Sequence, residues 1–296
     1  MKIFVVGSLN IDLVIRAPKM PAAGMTLSGS DFMMNEGGKG ENQAVAVSKL
    51  GGECYMVGCV GNEFGVRLKD TLQSYGVHTD FVLQRNQVAS GTAVIVVIDG
   101  DNRIILDQGA NATVDEALVD LALSQAEAGD YLVAQLEIPV GTVAYALKRA
   151  KEKGMVTVLN PAPARSVTDE MLSHCDYFIP NQTEAQFYTG IYPGDEQSVR
   201  QCAQKLSESG VKNVIITVGA DGSVCVSNGM YRKVDSFPAD VVDTTAAGDT
   251  YVGALVTALS EGKELIEAMT FASKAASVTI TRRGAQQSIP YRNEIE

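Results

Sequence analysis

Residues 243–249, Asp243-Thr244-Thr245-Ala246-Ala247-Gly248-Asp249, run directly into the helical pattern of residues 250–260. A helix begun on small residues leaves its first N–H groups unobstructed and adds the field of its dipole, which makes a site for an anionic oxygen. Asp249 falls in the first turn, where a carboxylate is either a base beside a bound anion or a plain complement to the dipole. A second stretch, Gly37-Gly38-Lys39-Gly40-Glu41-Asn42, also precedes a helix. It is not a Walker A loop, because position 33 is Met and Lys39 is followed by Gly rather than Ser or Thr. Close backbone approach with Lys39 and Asn42 as donors suits a polyhydroxylated ligand, and an ordinary glycine loop is the plain alternative.

Polar side chains recur at the ends of expected strands: Asn10 and Asp12 after the first, Glu137 after residues 131–136, Asn160 after 156–159, and Asn181 with Glu184 after 178–180. In open α/β sheets that edge is where ligands bind, although each residue taken singly reads as a loop or cap residue. Gly7-Ser8-Leu9-Asn10 lacks the G-x-G-x-x-G pattern, which disfavours Rossmann-type NAD binding. With only His78 and His174 in 296 residues, histidine triads have little to build on. Cys54, Cys59, Cys175, Cys202 and Cys225 show no C-x-x-C spacing, so neither a disulfide framework nor a zinc site is indicated. Acids outnumber bases 35 to 24, for a formal net charge of -11, and no nucleic-acid partner is expected. The first apolar run soon meets Asp12 and Arg16, and no stretch reaches the roughly 18 apolar residues of a membrane span. A soluble, cytoplasmic chain with no membrane partner is the expectation.

These side chains need a scaffold, and the hydrophobic pattern supplies an α/β one. Short β-branched runs at residues 3–6, 54–60, 131–135, 157–159, 177–180 and 214–218 alternate with helical patterns at 42–50, 63–75, 142–153 and 199–209. The alternation predicts a mostly parallel sheet with helices on both faces. Residues 12–34 and 92–108 break the rhythm, the second as a β-hairpin with Asp99-Gly100 in its turn. They are expected to form a small separate β-layer, a lid, over a core of residues 1–11, 35–91 and 109–296. An antiparallel edge on the main sheet is the alternative.

Together these stretches resemble the ribokinase family of sugar kinases over essentially the whole chain. Its two signatures look like Gly37-Gly38-Lys39-Gly40-Glu41-Asn42-Gln43-Ala44 and Asp243-Thr244-Thr245-Ala246-Ala247-Gly248-Asp249-Thr250. Gln135-Leu136-Glu137, Asn160-Pro161-Ala162-Pro163-Ala164, Pro180-Asn181-Gln182-Thr183-Glu184-Ala185 and Thr217-Val218-Gly219-Ala220-Asp221-Gly222 lie between them in the family's order. The resemblance implies a three-layer α/β/α fold with a small β-sheet lid, and transfer of the γ-phosphoryl group of ATP to the primary hydroxyl of D-ribose. Asp249 would be the base, with amides of Ala246, Ala247 and Gly248 as the anion hole. It assigns the sugar to Asn10, Asp12, Gly38, Lys39, Asn42, Glu137 and Asp249, and ATP to Asn181, Thr217, Gly219, Gly222, Gly248 and Ser273. Glu184 would organise Mg²⁺ through water, while Asp243, Thr245, Thr279, Arg282, Gly284 and Ser288 would hold a monovalent cation, K⁺, largely by backbone carbonyls. A homodimer paired through the lids is also implied, since mutual pairing would cover exposed β-edges.

Three positions depart from the family pattern. Ala246 stands where Gly is common, and is strained if its φ is positive. Glu41 replaces a small residue beside Lys39 and Asn42, so its carboxylate either points to solvent or alters sugar choice. Ser273-Lys274 occupies the place that flanks adenine. With the chemistry unchanged, the other acceptors are 2-deoxyribose, fructose or a nucleoside. Asn10-Ile11-Asp12 favours a free sugar with adjacent hydroxyls, and the lid segments offer only Phe32 to cover a base. A non-catalytic sugar sensor is the reading from another class, against which Asp249, Glu184 and Gly248 stand.

Overall fold

Ile3 and Val5 pack into one apolar layer and Phe4 and Val6 into another, so the first strand lies in a sheet covered on both faces. In the computed structural model, which describes residues 1–99 and 101–296, this strand is β1 (Lys2–Val6). β2 (Asn10–Arg16) and β3 (Ser30–Gly37) then leave the main sheet, and α1 (Lys39–Lys49), β4 (Glu53–Val60), α2 (Gly65–Ser74) and β5 (His78–Gln84) return to it. β6 (Gly91–Ile98) and β7 (Asp101–Asp107) join the excursion. The crossover series resumes with α3 (Glu116–Leu123), β8 (Tyr131–Ala134), α4 (Val140–Glu152), β9 (Val156–Leu159) and α5 (Asp169–Ser173). It ends with β10 (Tyr177–Phe178), α6 (Gln182–Thr189), α7 (Glu196–Glu208) and β11 (Asn213–Thr217). A hairpin of β12 (Ser223–Ser227) and β13 (Met230–Val234) follows, then α8 (Ala247–Ser260) and α9 (Leu265–Thr279).

Among the described residues the main sheet has nine strands in the order β13-β12-β11-β10-β9-β8-β1-β4-β5, parallel from β11 to β5 and antiparallel through the final hairpin. This is the three-layer, mostly parallel α/β/α fold that the alternation predicts. The chain winds from β1 towards β5 and then crosses to β8, so the sheet's topological switch point lies at the carboxyl ends of β1 and β8.

The two rhythm-breaking segments pair with each other as a four-stranded sheet, β3-β2-β6-β7. It is mixed, since β2 runs parallel to β6 while the β2–β3 and β6–β7 pairs are antiparallel. Asp99 takes the left-handed conformation (φ 51°) that a tight hairpin turn demands, and the Gly100 half of the expected turn lies outside the described residues. An antiparallel edge on the main sheet also exists, built instead from residues 223–234, to which the sequence pattern gave no role. All five cysteines are buried and free, and no described helix is long and apolar enough to cross a membrane.

What brings α1 to the switch point is the absence of two side chains. A Cβ on Gly40 would stand 2.5 Å from the Ser8 nitrogen, and one on Gly7 would stand 2.7 Å from the Gly40 Cα. The helix therefore starts in backbone contact with the β1–β2 turn, and the Glu41 N–H donates to the Ser8 carbonyl at 2.9 Å. Gly40→Ala must push the two backbones apart and is expected to lower stability by about 1–3 kcal/mol. Urea denaturation measures this, with an unchanged midpoint as the contrary result.

Candidate active site

The Gly38–Lys39 turn sits over the switch point. Gly38 (φ 94°) caps α1 in a conformation that side chains resist, and a Cβ there would lie 3.1 Å from the Asn10 nitrogen. Glu137, just past β8, accepts from the Ser8 hydroxyl at 2.6 Å and the Lys39 N–H at 3.0 Å through one carboxylate oxygen. Its other oxygen stays available. Asn10 is buried at the start of β2, its amide oxygen held by Asn111 at 2.7 Å, while Asn111 also bridges the Leu9 N–H and carbonyl. Asp12 follows on the same face of β2, close enough to Gly37 that a Cβ there would meet its carboxylate at 2.4 Å.

Asp249 is buried in the first turn of α8 and anchored from α1, with Asn42 donating to one carboxylate oxygen at 2.9 Å and Gln43 to the other at 3.0 Å. Gln43 is in turn fixed by Gln135, which donates to its amide oxygen at 2.7 Å, and by Asn160, to which it donates at 3.0 Å. Burial lifts the Asp249 carboxyl above the usual range, against the pull of the Lys39 ammonium and the two amide donors. Burial opposes the Lys39 charge too, but the carboxylates of Asp249, Glu137 and Glu184 outweigh it and raise this lysine above its ordinary value. Burial first, then the Glu137 and Asp249 charges, push Asp12 up to about 7. One ammonium among four carboxylates is a site arranged for proton transfer and for holding hydroxyls.

The turn before α8 leaves donors free. The Ala247 N–H is spent on the Thr244 carbonyl at 3.2 Å, so it is not a free member of the expected anion hole. The N–H groups of Ala246, Gly248 and Asp249 have no backbone acceptor among the described residues, which leaves them free to receive an anion. Ala246 adopts φ 59°, so the strained alternative holds at this position.

Across from this turn, Asn181 and Thr217 meet in an isolated parallel bridge. Asn181 caps α6 in a reciprocal capping box: its side chain accepts from the Glu184 N–H at 2.8 Å, and Glu184 accepts from the Asn181 N–H at 2.9 Å. Burial raises the Glu184 carboxyl, with Lys39 lowering and Asp249 raising it, which places the three charges in one field. Gly219 and Gly222 both need positive φ in the turn after β11. The Ser273 hydroxyl is buried in α9 without a partner.

Asp243 accepts from the Thr245 N–H and hydroxyl through one oxygen and from the Gly284 N–H at 3.0 Å through the other, which ties its loop to residues 280–289. Thr279 is buried and bonded to Thr250, Arg282 pairs with Glu294, and Ser288 is buried with its hydroxyl on the Ala285 carbonyl. Glu41 does not point to solvent: it is fully buried, with no partner for either carboxylate oxygen. Ser8, Gln43, Asn111 and Gln135 are residues around the site that motif reading left unassigned, although Gln43 and Gln135 stand inside the quoted motifs, and Asn160, expected at the strand-end edge, joins them through Gln43.

The pattern of the pfkB family of carbohydrate kinases matches residues 1–292. The chain belongs to this family. As a pfkB-family sugar kinase it is 40% identical over 292 residues to the ribokinase of Haemophilus influenzae, covering 98% of this chain and 95% of that one. It is 33% identical over 293 residues to a deoxyribokinase of Salmonella typhimurium, covering 98% and 96%. Among solved structures, the ribokinase of Thermotoga maritima superposes with a TM-score of 0.89 at 37% identity, covering 99% of this chain and 97% of that one. Arabidopsis thaliana ribokinase complexed with ribose and ATP superposes with a TM-score of 0.91 at 32% identity, covering 99% and 96%. The ribokinase-like fold of this pfkB-family kinase is thereby shown.

Two substitutions test the geometry of this pfkB-family site. Ala246→Gly relieves a left-handed alanine and should raise stability by up to about 1 kcal/mol, read as a higher melting temperature. Asp12 releases its proton near pH 4 in the unfolded chain and near 7 in the fold, so native Asp12 carries the extra proton between those values. Stability therefore falls as pH rises from about 4 to about 7. Asp12→Asn should melt higher than the wild type at pH 8 and level with it at pH 4; an equal offset at both would contradict this sign.

Proposed function

We propose that this kinase transfers the γ-phosphoryl group of ATP to the primary hydroxyl of D-ribose, giving ribose 5-phosphate and ADP, with Asp249 as general base. The observation that carries this reading is a buried, doubly anchored carboxylate in the same helix turn as free N–H donors, facing a set of groups suited to a polyol. Asp249 accepts the hydroxyl proton, and the raised basicity that burial gives it favours that transfer. Asn42 and Gln43 hold both its oxygens, so little reorientation is needed on the way to the transition state. Lys39 and the N–H groups of Ala246, Gly248 and Asp249 face the charge that builds on the phosphoryl oxygens.

Asn10, Asp12, Gly38, Lys39, Asn42 and Glu137 are assigned to the sugar. Asn181, Thr217, Gly219, Gly222 and Gly248 are assigned to ATP, with Ser273 bordering the base through its backbone. Glu184 keeps one oxygen free of its capping box, which fits a water of hydrated Mg²⁺. Mg²⁺, when bound, neutralises phosphate charge. Asp243, Ser288 and the carbonyls of Thr245, Thr279, Arg282 and Gly284 are an all-oxygen set that fits K⁺, whose positive field would steady the anion hole. The four-stranded sheet serves as a lid. Its exposed Phe32, Met33, Ile104 and Ile105 support pairing with a second copy, and a cytoplasmic setting supplies the ATP.

A second reading, 2-deoxyribose as acceptor, draws on the deoxyribokinase relative. A substrate lacking the 2-hydroxyl gives the sugar-facing groups one fewer partner, which favours ribose. The deciding assay is ADP release from Mg-ATP with D-ribose, 2-deoxyribose, fructose and adenosine in parallel. Ribose is expected to give the highest kcat/KM, and preference for another sugar would overturn the acceptor. Asp249→Asn should remain folded yet lose about 100-fold or more in kcat. Near-wild-type turnover would remove Asp249 from the role of base.

A further inference from the structure

Glu41 and Gln286 are two fully buried polar side chains with no hydrogen-bond partner on any of their four terminal atoms. The Gln286 amide lies against the Glu41 carboxyl without meeting hydrogen-bond geometry, and the charges that act on Glu41 are those of the acids Glu36 and Asp12. An ionised carboxylate in such a place, with no cation beside it, is costly. An un-ionised one carries both a donor and an acceptor, as does an amide, and the two can pair reciprocally after a small side-chain rotation. Burial itself drives Glu41 well above the carboxylate range, into that form.

The position of the pair gives it a consequence. Glu41 is next but one to Lys39 and adjacent to Asn42 on α1, and Gln286 sits between Gly284 and Ser288 in the loop assigned to K⁺. The same loop is fastened to the other end of α1 by Lys49, whose ammonium donates to the Gln286 and Ile289 carbonyls at 2.7 and 2.9 Å. Residues 41, 45 and 49 form one stripe of the helix, so the loop is held to a rigid element at two points eight residues apart.

We propose that Glu41 is a positioning residue whose carboxyl, paired with the Gln286 amide, latches the 284–289 loop to the sugar-binding end of α1 and so couples cation binding to sugar binding. The coupling rests on the sugar and cation assignments made above; the pairing itself does not. Removing the latch leaves the loop held to α1 through Lys49 alone, so more cation is needed to order it.

The experiment combines urea unfolding of Glu41→Ala, Gln286→Ala and the double variant with melting curves across a KCl series, tetramethylammonium chloride holding the ionic strength. The two substitutions should be non-additive by about five-fold or more in the unfolding constant. Additivity overturns the pair. Glu41→Ala should raise the KCl half-saturation of stabilisation by about three-fold or more, whereas Glu41→Gln, which keeps a donor and an acceptor, should stay near the wild type. It should also raise KM for the sugar at low KCl, with kcat nearly unchanged and KM recovering at saturating KCl. An unmoved half-saturation in Glu41→Ala overturns the coupling. If KCl does not stabilise the wild type, the coupling falls with the cation assignment, and the pair is still judged by the unfolding cycle. Should Glu41→Ala not fold, a loss of stability in Glu41→Gln as large as that in Gln286→Ala overturns the pair by itself.

Discussion

Backbone contact between Gly7 and Gly40 is the constraint on which the site depends. Helices normally stand off a sheet by the thickness of their side chains, about 10 Å between axis and sheet. Here the first turn of α1 is drawn onto the carboxyl end of β1, and three functional groups arrive together as a result. Lys39 reaches the crevice, Asn42 and Gln43 reach the start of α8, and the Ser8 hydroxyl reaches Glu137. Gly253 on α8 plays a similar part further along, since a Cβ there would stand 2.5 Å from that of Ala46. α1 and α8 are therefore set against each other along their length, and the carboxylate of one is held by amides of the other.

That closeness has an electrostatic price. Glu137, Glu184 and Asp249 share Lys39 as countercharge with Asp12 beside two of them, and Asp12, Glu184 and Asp249 are raised by burial and mutual repulsion. A site stable in isolation would not be built this way. The unfavourable field is relieved by groups that bring positive charge or donate hydrogen bonds, so the arrangement carries its own selectivity for cationic and hydroxyl-rich occupants.

The sequence made some of this legible. Alternating runs predicted the layered sheet, and two segments without crossover helices predicted the small sheet, because strands that lack a returning helix cannot enter a parallel sheet. The small-residue turn before α8 and the glycine stretch could be located from spacing, while Asp249 stood apart from a plain dipole complement only through the family resemblance. The role of Gln43 could not, since an amide in a helical pattern looks the same whether it faces solvent or joins three partners. Asn111 lies over 100 residues from the Leu9 and Asn10 groups it holds, a pairing that only the fold creates. Ser288 reads as an ordinary turn residue, and its burial depends on loop packing that no local pattern encodes.

The four-stranded sheet starts from one row at the core, with Asn10 in register with Gly37 on one side and Gly91 on the other. Two of the three residues in that row are glycines, and beyond it the small sheet shares no ladder with the main sheet but is tied to α2 by Arg67, which holds Glu36 and the Met34 carbonyl. With the Arg67 tie released, such a row would work as the fulcrum of a lever. Seven-residue strands extend roughly 20–25 Å, so a turn of about ten degrees at the row carries the far ends by roughly 4 Å while moving Asp12 by little more than 1 Å. A large sweep at the rim would thus be geared down to a fine adjustment at the Asp12 carboxylate.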